Sequence, residues 1–118
     1  MAVINPVNMS TITALTNANQ TIYTCGAISN TGKLGLVKSI DVTNTTVGAI
    51  TVSIFLVPPG GTAAATNALY FGTSVAANSI LSWRGTQILA AGGKIVAVSS
   101  AASGLTINAA GGEYAPTL

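Results

Sequence analysis

Leu36-Val37-Lys38-Ser39-Ile40-Asp41-Val42-Thr43, followed after Asn44-Thr45-Thr46-Val47-Gly48 by Ile50-Thr51-Val52-Ser53-Ile54-Phe55-Leu56-Val57, is the stretch that decides the fold. Leu36, Ile40 and Val42 fall on one parity and Val37, Ser39, Asp41 and Thr43 on the other, and only Lys38 breaks the apolar row. The second run repeats the pattern, with Ile50, Val52, Ile54 and Leu56 set against Thr51, Ser53 and Phe55. A period of two belongs to a strand with one buried face. Two such runs around an Asn-Thr-Thr turn predict an antiparallel hairpin.

Shorter runs of the same kind extend outward from this pair. Ser10 to Thr16 and Gln20 to Thr24 are joined by Asn17-Ala18-Asn19; Ala68 to Phe71 stops at Gly72; Ser79 to Trp83 stops near Gly85. Lys94 to Ser99 follows Gly92-Gly93, and Leu105 to Asn108 sits between Gly104 and Gly111-Gly112. β-Branched and aromatic residues fill the runs, while Gly, Asn and Pro fill the gaps, as strand and turn preferences require. The Ala-rich pieces, Ala63 to Ala65, Ala90-Ala91 and Ala101-Ala102, are too short for helices. The chain reads as all-β, with one β-sandwich or jelly-roll-like domain of about eight short antiparallel strands over residues 10–118. Residues 1–9, which contain Pro6 and two Asn, read as an extended N-terminal arm, and Glu113 to Leu118, with Pro116, as a C-terminal tail.

Composition narrows the function. The 118 residues are 49% hydrophobic but 5% charged, with four Lys or Arg, two acidic residues and no His. Ordinary domains carry roughly 25% charged residues, so Thr, Ser, Asn and Gly must cover this surface. Cys25, Asp41 and Glu113 are too few and too scattered for an all-protein zinc or calcium site. The four cations form no cluster of the kind nucleic acid requires. Without His, a Ser or Thr nucleophile would need Lys33, Lys38 or Lys94 as its base, and no motif ties any of them to a particular Ser. Gly92-Gly93-Lys94 and Pro58-Pro59-Gly60-Gly61-Thr62 lack the spacing and the following helix of a phosphate loop and read as turns. The expectation is a protein that is not an enzyme and uses no cofactor and no metal.

Three further features bear on setting. The apolar run Val47 to Val57 falls short of the ~20 residues a membrane-spanning helix needs. The opening Met1-Ala2-Val3-Ile4-Asn5-Pro6 has no cationic segment leading into an apolar one, so no Sec-type export is expected. A lone Cys25 fits folding in a reducing cytoplasm and reads as a small core residue. Asn44-Thr45-Thr46 matches the glycosylation acceptor pattern, but in such a chain it reads as a turn.

The large side chains are few: Trp83-Arg84, Tyr70-Phe71, Tyr23 and Tyr114 hold nearly all of them. Aromatic residues and Arg dominate interface hot spots, while Trp83 and Phe71 as core fillers is the competing reading, and both stay open here. Strand edges with almost no charge invite pairing with other chains. An assembled protein is therefore expected.

The run from Thr21-Ile22-Tyr23-Thr24 through Thr31-Gly32-Lys33 and Leu36 to Thr46 to Ile50 to Val57, continued by Ser74 to Ser79, Gln87 to Ile95 and Leu105 to Tyr114, resembles small β-sandwich virion proteins of tailed bacteriophages. The resemblance covers roughly residues 20–114 and consists of strand and turn grammar, without a chemical motif. It implies a structural virion component made in the host cytoplasm, above all a head decoration or cement protein on the capsid surface. The implied partners are the major capsid protein and sister copies, as a homodimer or homotrimer, with no nucleic acid and no membrane. Val3, Ile4, Pro6, Val7, Tyr70, Trp83, Arg84 and Tyr114 are the candidate capsid or subunit contacts. The alternative is a tail, collar or fibre adhesion module that uses Tyr70, Trp83 and Tyr114 against a glycan.

Overall fold

A computed structural model describes residues 3–28, 31–32 and 34–115. Ten strands follow in chain order: β1 (Val3–Ala14), β2 (Gln20–Thr24), β3 (Ala27–Ile28), β4 (Thr31–Gly32), β5 (Leu34–Asn44), β6 (Ile50–Val57), β7 (Ala68–Val75), β8 (Ser79–Leu89), β9 (Lys94–Ser99) and β10 (Leu105–Ala115). Among the described residues the two-residue strands β3 and β4 pair only with each other. The eight longer strands form two four-stranded antiparallel sheets, β1-β10-β5-β8 and β2-β9-β6-β7. Among those eight the first pairs with the last, the second with the seventh, the third with the sixth and the fourth with the fifth. This nesting is one long folded ribbon rolled into two layers, the jelly-roll arrangement.

The hairpin expected from the deciding stretch does not form. β5 lies in one sheet between β10 and β8, and β6 lies in the other between β9 and β7. Both strands bury alternate residues, but the buried rows face each other across the core. Val37, Ile40 and Val42 come from one side and Ile50, Val52 and Ile54 from the other, all buried in one cluster with Leu105, Ile107, Ala109, Ile95, Ala97 and Val75. Periodicity alone cannot separate these cases, since strands paired in one sheet and strands facing across two carry the same one-sided pattern. The connection Thr45 to Ala49 is an arch from layer to layer.

Lys38 explains its own irregularity. Ala110 and Gly111 of β10 pair with Ser39 and Val37 of β5, so Lys38 is an extra residue in β5. One inserted residue flips the side-chain parity. Val37 and Gly35 are therefore buried before the bulge, Ile40, Val42 and Asn44 after it, and Leu36 is only half-buried. The exposed Lys38 Nζ donates to Thr86 Oγ1 at 2.7 Å on β8, where the β5 pairing also steps from Val37 and Gln87 to Ser39 and Arg84.

Glycines taken as strand ends lie inside strands. β7 continues through Gly72 to Val75, β8 through Gly85 to Leu89, and β10 through Gly111 and Gly112 to Ala115. Gly72 adopts φ +60 and donates its N–H to Ser53 Oγ at 2.9 Å, so it is a bulge residue and not a terminator.

β1 also runs unbroken through the boundary expected between residues 9 and 10, with Val3 to Asn8 paired in register to Ala115 to Ala110. That pairing makes the first sheet longer than the second, and the molecule measures 52 × 25 × 19 Å. A second small cluster, Phe55, Val57 and Val96, lies on the outer face of β6 and β9 against Ala63, Ala68 and Val98.

Candidate interaction surface

The candidate contact residues fall into two groups. Val3 and Ile4 pair with Ala115 and Tyr114, Pro6 with Gly112 and Val7 with Gly111, so the expected arm and Tyr114 meet at one end of the longer sheet. Pro6 occupies an edge strand, where its missing N–H costs no inner pairing. It lines, with Leu36, Lys38, Gly111 and Gly112, a hollow of about 250 Å³. Val7 packs against the core.

Tyr70, Trp83 and Arg84 form the second group, on the lateral side where β7 and β8 meet. Tyr70 and Trp83 are half-buried, and both pack against the core cluster with Leu69 and Leu81. Trp83 is thus core filler and surface residue at once, whereas Phe71 is 65% exposed and touches Phe55 edge-on at a 6.3 Å centroid distance. Trp83 pairs across β5 at the level of Ala109, five residues from Tyr114 along β10. At the strand rise that separation is about 17 Å, so Tyr70, Trp83 and Tyr114 share no stacking platform for one sugar ring.

Arg84 points to the outer face, where its Nη1 donates to Asp41 Oδ1 at 2.8 Å and to the Trp83 carbonyl at 3.0 Å. The guanidinium, with a smaller contribution from the Ser82 hydroxyl, holds the Asp41 carboxyl below its ordinary value against a weaker opposing effect of burial. The pair neutralises the charged side chain of β8.

Tyr23, marked in the sequence only as one of the few large side chains, joins the two layers. Its hydroxyl donates to Glu113 Oε2 and ties β2 of the shorter sheet to β10 of the longer one. Burial first, and the hydrogen bond to Glu113 second, push the phenol far above its ordinary 10.0. A group whose proton is held more tightly in the folded state adds stability below its unfolded pKa, and that stability is lost as pH rises. Stability is therefore expected to decline above about pH 10. Ultraviolet titration of the three tyrosines should show one ionising only on alkaline unfolding. Tyr23→Phe should remove that late component and cost about 1–2 kcal/mol; three tyrosines titrating together in the folded protein would refute the tie. Nothing in the sequence announces this contact, because 90 positions separate its members.

Cys25 is 1% exposed, consistent with a core role, and its thiol donates to the Gly26 carbonyl. Asn44 is equally buried, so the glycosylation pattern at 44–46 is a turn whose amide no glycan can reach. Among the described residues no cluster of three or more His, Cys, Asp or Glu could hold a metal ion, and no helix is long and apolar enough to cross a membrane.

Among the described strands four edges are left unpaired. β1 and β8 bound one sheet, β2 and β7 the other, and Arg84 is the one charged side chain on all four. Natural edges are usually blunted by charge, and these are not.

No protein-family model matches the sequence, and no curated protein matches it. Among solved structures, a chain in the structure of infectious bursal disease virus Gx strain superposes with a TM-score of 0.51 at 12% identity, over 97% of this chain and 32% of that one. A chain of the infectious bursal disease virus VP2 subviral particle aligns at TM-score 0.37 and 12% identity, over 96% of this chain and 32% of that one. The chain thus spans about a third of the length of both. The first likeness extends over nearly the whole chain and concerns the fold: a two-layered β-sandwich also found in a virus particle.

Proposed function

We propose that this protein is a non-enzymatic structural component of a virus particle, a head decoration or cement protein of a tailed bacteriophage. It binds the outer surface of the assembled capsid through the major capsid protein and through sister copies. The observation that carries this reading is the set of four strand edges with a single, internally neutralised charge. An uncharged edge on a rigid sandwich serves association by backbone pairing and apolar contact, and such contacts are little weakened by salt. The jelly-roll layers and their likeness to a chain from a virus particle support the setting. Val3, Ile4, Pro6 and Val7, gathered with Tyr114 at one end of the longer sheet, are the proposed capsid contacts. A decoration protein occurs in many copies, so effective concentration multiplies a modest interface.

Cryo-electron microscopy of the native particle tests the proposal. Density for the sandwich repeated over the capsid lattice is the expected result. Density confined to a tail, collar or fibre would replace the cement role with an adhesion role, and a particle without it would reject both.

A further inference from the structure

The four edges are not equally open. β1 carries Pro6, which has no N–H, and its pairing with β10 breaks register twice. β2 has five residues and one register shift. β7 contains the Gly72 bulge and two register shifts against β6. β8 alone offers an uninterrupted run: Ser79 to Arg84 pair with Asn44 to Ser39 of β5 residue for residue. No Pro, Gly or bulge interrupts these six residues. Every second one directs its N–H and C=O away from β5, toward a side where no strand among the described residues pairs with it.

We infer that this edge pairs with the same edge of a second copy, antiparallel and about a two-fold axis at Ser82, joining two longer sheets into one eight-stranded sheet. The inference rests on the reading of the chain as an assembling subunit and names the partner of that surface. Opposed residues in an antiparallel pair must share a face, so a two-fold register centres on a single residue. Centring on Ser82 sets Leu81 against the second copy's Trp83 on the core-facing side. Both side chains are half-buried at the open lateral edge of the sandwich, together with Leu69 and Tyr70 of β7, and pairing would cover what one copy leaves wet. On the outer face Ile80, 58% exposed, meets the alkyl stem of the second copy's Arg84, and the two small Ser82 side chains meet at the axis.

Charge permits this register. Each Arg84 is already paired with its own Asp41 at 2.8 Å. The two guanidinium groups stand four positions apart along the paired strands, about 14 Å by strand geometry, which is beyond the screening length of ~8–10 Å. Two lysines at position 82 would stand directly opposite each other, a repulsive arrangement.

The full chain suffices for the test, because Trp83 is its one tryptophan and reports on this edge directly. Sedimentation velocity should show a concentration-dependent dimer, with Trp83 emission moving to shorter wavelength as the dimer forms. Ser82→Lys should weaken association by roughly tenfold or more and hold the emission at its dilute-solution position. Ser82 is exposed, so Ser82→Lys and Ser82→Cys should both fold and, at concentrations where the wild type is monomeric, keep its melting temperature. Ser82→Cys should form a disulfide-linked dimer under mild oxidation, where the wild type, with only the buried Cys25, does not. A dimer that persists in Ser82→Lys, a Ser82→Cys protein that fails to cross-link, or a wild-type chain that stays monomeric at millimolar concentration would each overturn the inference. The last outcome would leave the edge to a strand of another protein, and none of them bears on whether the particle carries the chain, which the particle density decides.

Discussion

Gly111→Ala is expected to lower stability by about 3 kcal/mol or more, the upper end of what forced overpacking costs. A Cβ at this position would overlap the Leu36 carbonyl oxygen and stand 2.9 Å from its carbonyl carbon and 3.2 Å from the Lys38 nitrogen. All three are backbone atoms, so no rotamer change relieves the clash. They belong to β5 where Lys38 forms the bulge, opposite the step from Ala110 to Gly111. β5 and β10 are the two inner strands of their sheet, and neither can withdraw without disturbing a second neighbour. For a domain of this size the loss corresponds to a fall of about 10 °C or more in melting temperature. Gly48→Ala is the control: an added Cβ meets nothing within 4 Å, and the change should stay within about 1 kcal/mol of wild type. Equal melting of the two variants in a calorimeter would contradict the bulge.

The bulge marks the border between what the sequence discloses and what it hides. Lys38 is visible as the one break in an apolar row, and the break is real, but its meaning depends on Ala110 and Gly111 of β10, far along the chain. Alternation placed the strands correctly as local elements, because a buried face imposes its period on any strand. It could not assign partners. β5 and β6 carry the same pattern whether side by side or face to face, and the arch between them has a length that serves both. Glycine misled for a related reason. Gly72, Gly85 and Gly111 read locally as punctuation, yet each sits inside a strand, where the absence of a side chain admits a bulge or a close backbone approach.

The candidate surface was partly legible. Scarcity of charge pointed to exposed edges, and the structure supplies four of them. Which edge is open depends on register, a long-range property that separates β8 from β1, β2 and β7 only once the pairings are known. Trp83 illustrates the limit: composition allowed a core residue or an anchor, and only the fold shows it half-buried on an edge strand and packed against the core cluster. The contact between Tyr23 and Glu113 carried no signal at all, since a single tie between distant strands leaves no trace in periodicity.

Asn44→Asp is expected to be the other severely damaging change, and its cost should depend on pH. The Asn44 side chain is 1% exposed at the point where β5 turns into the arch. Its Nδ2 donates to the Gly48 carbonyl at 2.9 Å and to the Val75 carbonyl at 3.0 Å, while its Oδ1 accepts from the Thr46 N–H at 2.9 Å and the Thr46 hydroxyl at 2.7 Å. One amide thereby closes the arch and ties it to the end of β7 in the opposite sheet. Asn44→Ala leaves two carbonyls and a backbone N–H without that partner, a loss of about 2–4 kcal/mol. The aspartate variant adds a buried charge whose second oxygen faces two carbonyl acceptors, which raises the cost above that of alanine at neutral pH. The folded form then favours the protonated acid, whose O–H can donate to one of the carbonyls, so the new carboxyl is raised relative to the unfolded chain. A raised group adds stability as pH falls. Chemical denaturation of the Asp variant should accordingly show stability recovering from pH 7 toward pH 4, while the Ala variant stays comparatively flat over the same range. An Asp variant as stable as wild type at pH 7, or one that loses stability on acidification more steeply than the Ala variant, would show that the arch does not depend on this amide.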